Sequence, residues 1–138
     1  MKTDIKLVQE FHEKFGVGVE TVETEDFILN EEAWKFRTTF MQEELDEFIQ
    51  GWYDGDAVKK FDSLLDLAYV VYGTALMMGI TPQQWALGFL VVHSCNMTKE
   101  RATSADESKR GSALDVVKPE GWTGPEEALH QLLFGSDS

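Results

Sequence analysis

The segment from Phe61 to Ile80 is apolar on nearly every side of a helical wheel, broken mainly by Asp62, Asp66 and Gly73. A helix of that kind belongs inside a core, so the rest of the chain must supply helices to surround it. An ionised carboxylate at Asp66 is unfavourable there unless something pairs with it, and a metal ion is an adequate partner. Asp62 lies one turn earlier on the same face. Upstream, the segment Glu43-Glu44-Leu45-Asp46-Glu47 carries a second acidic cluster, with Glu44 and Glu47 at i,i+3 and Glu43 and Glu47 at i,i+4. Two helices with facing acidic pairs make an all-oxygen cage suited to magnesium, for which manganese can substitute.

The remaining pattern is helical almost throughout. Asp4 can cap a first helix with Ile5, Leu7, Val8, Phe11 and Phe15 on one side, stopped near Gly16 and Gly18. An acidic connection without sustained period runs from 17 to 29. Asn30 then caps a second helix, with Glu31 and Glu32 in its first turn where they favour the dipole. Its apolar stripe is Phe36, Phe40, Met41, Leu45, Phe48 and Ile49, and Gly51 is its expected stop. Residues 52–56 read as a short turn, which makes the flanking helices antiparallel. A third helix is expected from about 56 to 79. Thr81, Pro82 and Gln84 open a fourth running toward Met97.

Beyond that point the character changes. Residues 99–111 are polar and read as a mobile loop, residues 115–118 as a short extended piece, and 119–122 as a turn. Pro125 opens a last short helix to Phe134, and the tail should fray. These features define a single all-α domain over residues 1–138, a bundle of about four main helices. The third and fourth helices carry apolar residues on more sides than one such core requires, so we expect an oligomer, most simply a homodimer.

The formal net charge of −13 argues against nucleic acid or an anionic membrane as the main partner. The first residues lack a signal-peptide pattern, and the apolar run ending at Ile80 is too short and interrupted for a membrane span. A lone Cys95 provides no internal disulfide and suits a reducing compartment. We expect a cytoplasmic protein.

Each candidate residue also has a plainer explanation. Glutamates at helical spacing usually form a solvated face. Here, however, like charges at i,i+4 destabilise the helix, and Leu45 and Phe48 bring the same turn near the buried stripe. Asp66 could instead pair with Arg37 or a lysine. Five of the twelve basic residues, Lys99, Arg101, Lys109, Arg110 and Lys118, fall between 99 and 118. They either solvate a loop or close over phosphate oxygens. His93, Asn96 and Lys99 recur every three residues, and the last two are suited to a sugar or phosphate group. Among the tryptophans, Trp122 is the one expected at the surface.

Four blocks in order carry a resemblance to a known family. They are Arg37-x-x-Phe40-x-x-Glu43-Glu44-x-x-Glu47, the run beginning Asp66-Leu67-Ala68-Tyr69, the segment Val92 through Asn96 to Lys99, and Lys118-Pro119-Glu120-Gly121-Trp122. The chain resembles the all-α NTP pyrophosphohydrolases, most closely the MazG-like and phosphoribosyl-ATP-pyrophosphohydrolase-like proteins near the dUTPase-like branch.

That resemblance implies magnesium-dependent hydrolysis of a nucleoside triphosphate between the α and β phosphates, possible substrates being dUTP or another pyrimidine deoxynucleotide. It implies Glu44, Glu47 and Asp66 as metal ligands, Glu43 and Glu47 as candidates to orient or deprotonate water, and oligomeric assembly. Arg37, Asn96, Lys99, Arg101, Lys118 and Trp122 are the candidate substrate contacts. One departure stands out: the first acid of the family's E-x-x-D falls on Ser63. We expect Asp62 to replace it, with Ser63 turned partly away. Should it not, the alternative is a catalytically weak metal- and nucleotide-binding module.

Overall fold

The structure is a computed structural model that describes residues 1–17 and 26–135. Gly18 and most of the connection after the first helix lie outside the described residues, as does the end of the tail. The described residues form five helices: α1 (Asp4–Phe15), α2 (Glu31–Asp54), α3 (Ala57–Met77), α4 (Pro82–Asn96) and α5 (Glu126–Phe134). A minimal antiparallel ribbon, β1 (Glu100–Arg101) and β2 (Val116–Val117), is the sheet among them. The fold class is all-α, as the periodicity indicates. The chain divides into two compact units, Met1–Pro82 and Gln83–Ser138.

In the first unit, α2 starts where Asn30 accepts a hydrogen bond from the Ala33 amide at 2.8 Å. Thr3, not Asp4, is the residue preceding α1, and it makes no side-chain cap; Asp4 sits in the first turn, where its charge favours the helix dipole. The expected stop at Gly51 is incorrect. α2 continues to Asp54 and ends on Gly55, which adopts the left-handed conformation at φ 63°. Gly51 is a buried mid-helix residue whose absent side chain lets α3 approach: a Cβ there would lie 2.8 Å from Lys60 Cγ and 3.2 Å from its backbone nitrogen. The turn is therefore shorter than expected, and Asp56 caps α3 by accepting from Lys59 N at 2.9 Å.

The pairing of Gly51 with Lys60 at one end and of Arg37 with Val70 and Thr74 at the other makes α2 and α3 antiparallel. Arg37 is only 4% exposed. It donates from Nη2 to the Val70 carbonyl at 2.9 Å and from Nε to Thr74 Oγ1 at 3.0 Å. α1 closes this junction: buried His12 and Arg37 both press on Gly73, where a Cβ would meet Arg37 Nη2 and lie 2.8 Å from His12 Nε2. Phe11 adds an edge-on ring contact to Tyr69 at 5.6 Å. Ile5, Val8, Ala33, Val70, Ala75 and Met77 are the buried apolar residues of this unit.

The second unit contains most of α4, the ribbon and α5. Gly88 provides the α4–α5 contact, with Leu129 and Leu132 methyls 3.5 Å from where its Cβ would stand. The region read as a loop contains short regular structure. β1 pairs with β2 in the register Glu100 to Val117 and Arg101 to Val116, and a 3-10 turn, Ala105–Glu107, lies between them. Local polar bonds hold it, including Ser108 Oγ and Arg110 to Asp115. Composition signals solvation there but not this side-chain network. Among the described residues no single helix is long and apolar enough to cross a membrane.

Burial, and secondarily the Arg37 charge, lowers the His12 pKa below its ordinary 6.5. The folded state therefore favours the neutral ring, while the unfolded chain takes up a proton near pH 6.5. The stabilisation is present above that pH and is lost as pH falls through the folded-state value. The thermal midpoint should decline on acidification from pH 7.5 to 5.5, and His12→Gln should flatten that decline. Parallel slopes in melting curves of the two proteins would refute this account.

Candidate active site

Two helical faces converge midway along the α2–α3 seam. Carboxylate oxygens of Glu44 and Glu47 from α2 and of Asp66 from α3 all lie within 4.8 Å of one another. The i,i+3 spacing places the two glutamates on one side of α2, and the antiparallel pairing set by Arg37 and Gly51 brings Asp66 opposite them.

Glu44 is the buried member at 9% exposure, whereas Asp66 is half-buried and Glu47 exposed. The apolar surroundings of Asp66 in the sequence suggest a buried carboxylate, whereas the buried one is Glu44. Burial, more than any neighbouring charge, raises the Glu44 pKa; Glu47 and Asp66 add repulsion, a hydrogen bond with Glu47 favours the protonated form, and Asp62 contributes last. Asp66 is also raised, by burial first and then by Asp62 and Glu47. Glu44 Oε2 is buried with no hydrogen-bond partner, the one such side-chain atom among the described residues. A buried acceptor without a donor is unfavourable by roughly 1–3 kcal/mol, and more when charged.

An orphaned carboxylate oxygen beside two further carboxylates is what a hard divalent cation satisfies. Glu44, Glu47 and Asp66 therefore fit a metal. No lysine or arginine takes that place in any ion pair among the described residues.

The other expected site residues divide clearly. Asp62 is exposed and outside the group of three, although its charge is felt by both Glu44 and Asp66. Ser63 is not the residue turned aside: it is 1% exposed, and its hydroxyl donates to the Lys59 carbonyl at 2.7 Å. Glu43 is exposed and also outside the group. Arg37, expected at the substrate, is buried and bonded to Val70 and Thr74, a structural position that differs from that expectation.

In the second unit, Asn96 is exposed at the end of α4, and Arg101 is exposed on β1. Lys99 and Lys118 converge: each ammonium lies 5.1 Å from the centroid of the Trp122 ring. Trp122 is half-buried, while Trp34 and Trp52 are the exposed tryptophans, which corrects the expected order. Its indole Nε1 donates to Thr98 Oγ1 at 2.8 Å and to the Cys95 carbonyl at 3.1 Å, and this holds the ring in place.

The acidic group on the antiparallel α2–α3 pair falls within the span that comparison with family models identifies. The phosphoribosyl-ATP pyrophosphohydrolase family model matches residues 8–86, a span that holds all the carboxylates above, and the chain belongs to that family. It is thus a pyrophosphohydrolase, a hydrolase of phosphoric anhydrides. No curated protein matches the chain at a significant level. The basic residues from Lys99 onward lie beyond the matched span.

The His12–Gly73–Arg37 junction is absent from the sequence expectations. Its one signal is the seven-residue spacing of Arg37 and Glu44, which puts both on one face of α2.

Crowded carboxylates repel one another in the metal-free protein. Asp66→Asn should raise its thermal midpoint by a few degrees, the shift that about 1 kcal/mol gives in a domain of this size. The same substitution should remove the stabilisation that added magnesium gives the parent. A lower midpoint together with an undiminished magnesium response would exclude Asp66 from the cluster's function.

Proposed function

We propose that the chain hydrolyses nucleoside triphosphates between the α and β phosphates in a magnesium-dependent reaction, giving the nucleoside monophosphate and pyrophosphate. The observation carrying this reading is the Glu44–Glu47–Asp66 group with its unpartnered buried oxygen. The substrate we favour is a pyrimidine deoxynucleotide, dUTP first, on the resemblance of the Glu43-to-Glu47 block to the dUTPase-like branch.

Glu44, Glu47 and Asp66 would hold the metal, with Asp62 adding negative charge from one turn away. When bound, magnesium supplies charge compensation for the phosphate oxygens. Glu47 and Glu43 are the exposed carboxylates of the cluster's turn, so they can be reached by water. Glu47 accepts the proton of the attacking water as its oxygen bonds to the α phosphorus, and Glu43 helps orient that water. The α–β anhydride bond breaks and its electron pair leaves with pyrophosphate. Asn96, Lys99, Arg101, Lys118 and Trp122 are the proposed substrate contacts, and Arg37 supports the site through the α2–α3 junction. The setting in this reading is the cytoplasm.

Screening canonical and modified triphosphates, together with phosphoribosyl-ATP, for pyrophosphate release tests the assignment. dUTP should rank first with magnesium, chelator should abolish release, and Glu47→Gln should lower kcat by about 100-fold or more, the usual contribution of a general base. Release of orthophosphate instead of pyrophosphate would overturn the bond assignment.

We also infer a homodimer. Trp52 is 70% exposed on α2, and Phe61 and Leu65 are 64% and 53% exposed on α3, within a helix whose composition suits a core. Sedimentation at micromolar concentration should give twice the 15.6 kDa chain mass. Phe61→Glu should shift the protein toward monomer, and a wild-type monomer across that range would rule the dimer out.

A further inference from the structure

The two-stranded ribbon brings two like charges to one of its ends. Glu100 faces Val117 and Arg101 faces Val116, and the Ala102 amide donates to the Asp115 carbonyl at 3.0 Å. Lys99 immediately precedes β1 and Lys118 immediately follows β2, so both leave the same end of the ribbon. Like charges held close together are destabilising. Both ammoniums nevertheless approach the same indole, each 5.1 Å from its centroid. Neither makes an ion pair among the described residues, and the same holds for Lys109.

These side chains border a cavity of about 360 Å³ lined by Lys99, Lys109, Arg110 and Lys118 with Glu107 and Asp115. Its size is at the small end of the ~300–1,000 Å³ range typical of ligand sites. Both carboxylates already have partners. Arg110, then Ser108, hold Asp115 down to about 2, and Glu107 accepts from the amide and hydroxyl of Thr103. Glu107 keeps its charge, because Thr103 is neutral, so the cavity lining holds two carboxylates and an excess of cationic side chains, Lys99, Lys109, Arg110 and Lys118. Repulsion among them favours a multivalent anion that bridges them.

We propose that this cavity in the second unit is a diphosphate-binding site that works without a metal ion, with Lys99 and Lys118 as its paired contacts and Lys109 as a third. It deepens the hydrolase reading and rests on it for the ligand class, since that reaction makes and releases a diphosphate. The cluster's geometry does not depend on the carboxylate group of α2 and α3.

The test is calorimetric titration of the full chain with inorganic pyrophosphate in the presence of chelator. Saturable binding of one pyrophosphate per chain is expected, with inorganic phosphate about tenfold weaker or worse. Lys99→Gln and Lys118→Gln should each weaken pyrophosphate about tenfold, the loss of one charge-assisted hydrogen bond. In the absence of anion, both variants should melt at the same temperature as the parent or higher, because the repulsion between the two lysines is relieved. If the lysines merely buttress Trp122, the variants should melt lower and bind pyrophosphate as the parent does; that result overturns the proposal. Absence of saturable binding, or equal affinity for phosphate and pyrophosphate, also overturns it. Turnover measured on the same proteins with magnesium separates the two assignments. A chain that hydrolyses triphosphates but ignores pyrophosphate in chelator keeps the hydrolase reading and loses this site. One that binds pyrophosphate yet shows no turnover keeps this site and loses the hydrolase reading.

Discussion

Arg37 donates into the backbone of α3 from within the α2–α3 seam, and the placement of the carboxylates depends on that contact. Its Nη2 meets the Val70 carbonyl, which Thr74 Oγ1 also engages at 2.7 Å, and its Nε meets Thr74. A guanidinium is never deprotonated in practice, so its burial has to be balanced by well-placed acceptors. The geometry that satisfies it fixes the height of α3 against α2. Glu44 stands two turns along α2 from Arg37, and Asp66 one turn before Val70 on α3. A slip of one residue along the seam would turn one of these pairs out of register. Gly73 belongs to the same constraint, because the space its side chain would fill is taken by Arg37 and by His12 from α1.

Much of this was legible in the sequence, for identifiable reasons. Asn30 is a residue type whose side chain satisfies a free helix amide, and it caps α2 as expected, while the expected start of the third helix near Asp56 matches α3. The i,i+3 spacing of Glu44 and Glu47 fixes their common face regardless of tertiary context. Errors arose where one residue type serves two purposes. Gly51 looks like a helix stop but provides close approach between helices, and it is Gly55 that ends α2 in the left-handed conformation. Asp66 lies in the more apolar segment yet is less buried than Glu44, because apolar composition does not say whether a core or a partner chain covers a face. The ribbon after α4 depends on side-chain bonds to Asp115 that have no periodic signature.

The cavity beside β1 and β2 differs from the α2–α3 cluster in the sign of its charge. On α2 and α3 the cluster is made of carboxylates, whereas cationic side chains outnumber the carboxylates around the cavity. Neither arrangement is explained by stability, since like charges brought together oppose folding in both.

A buried arginine two turns from a carboxylate cluster could have paired with Asp66, and that arrangement would have satisfied both charges. It would also have left the cluster with one anionic ligand fewer and a cation where a metal would sit. Neutral acceptors, a carbonyl and a hydroxyl, hold the guanidinium instead, and Phe36 and Phe40 rings flank it at 5.7 Å. Rings of this kind stabilise a cation without cancelling its charge. The buried cation and the clustered carboxylates therefore share one seam, Arg37 and Glu44 being about 10 Å apart along α2, the rise of seven helical residues. At that separation Arg37 can orient the helices and leave the carboxylates unpaired, and the unsatisfied oxygen of Glu44 is the physical trace of that division.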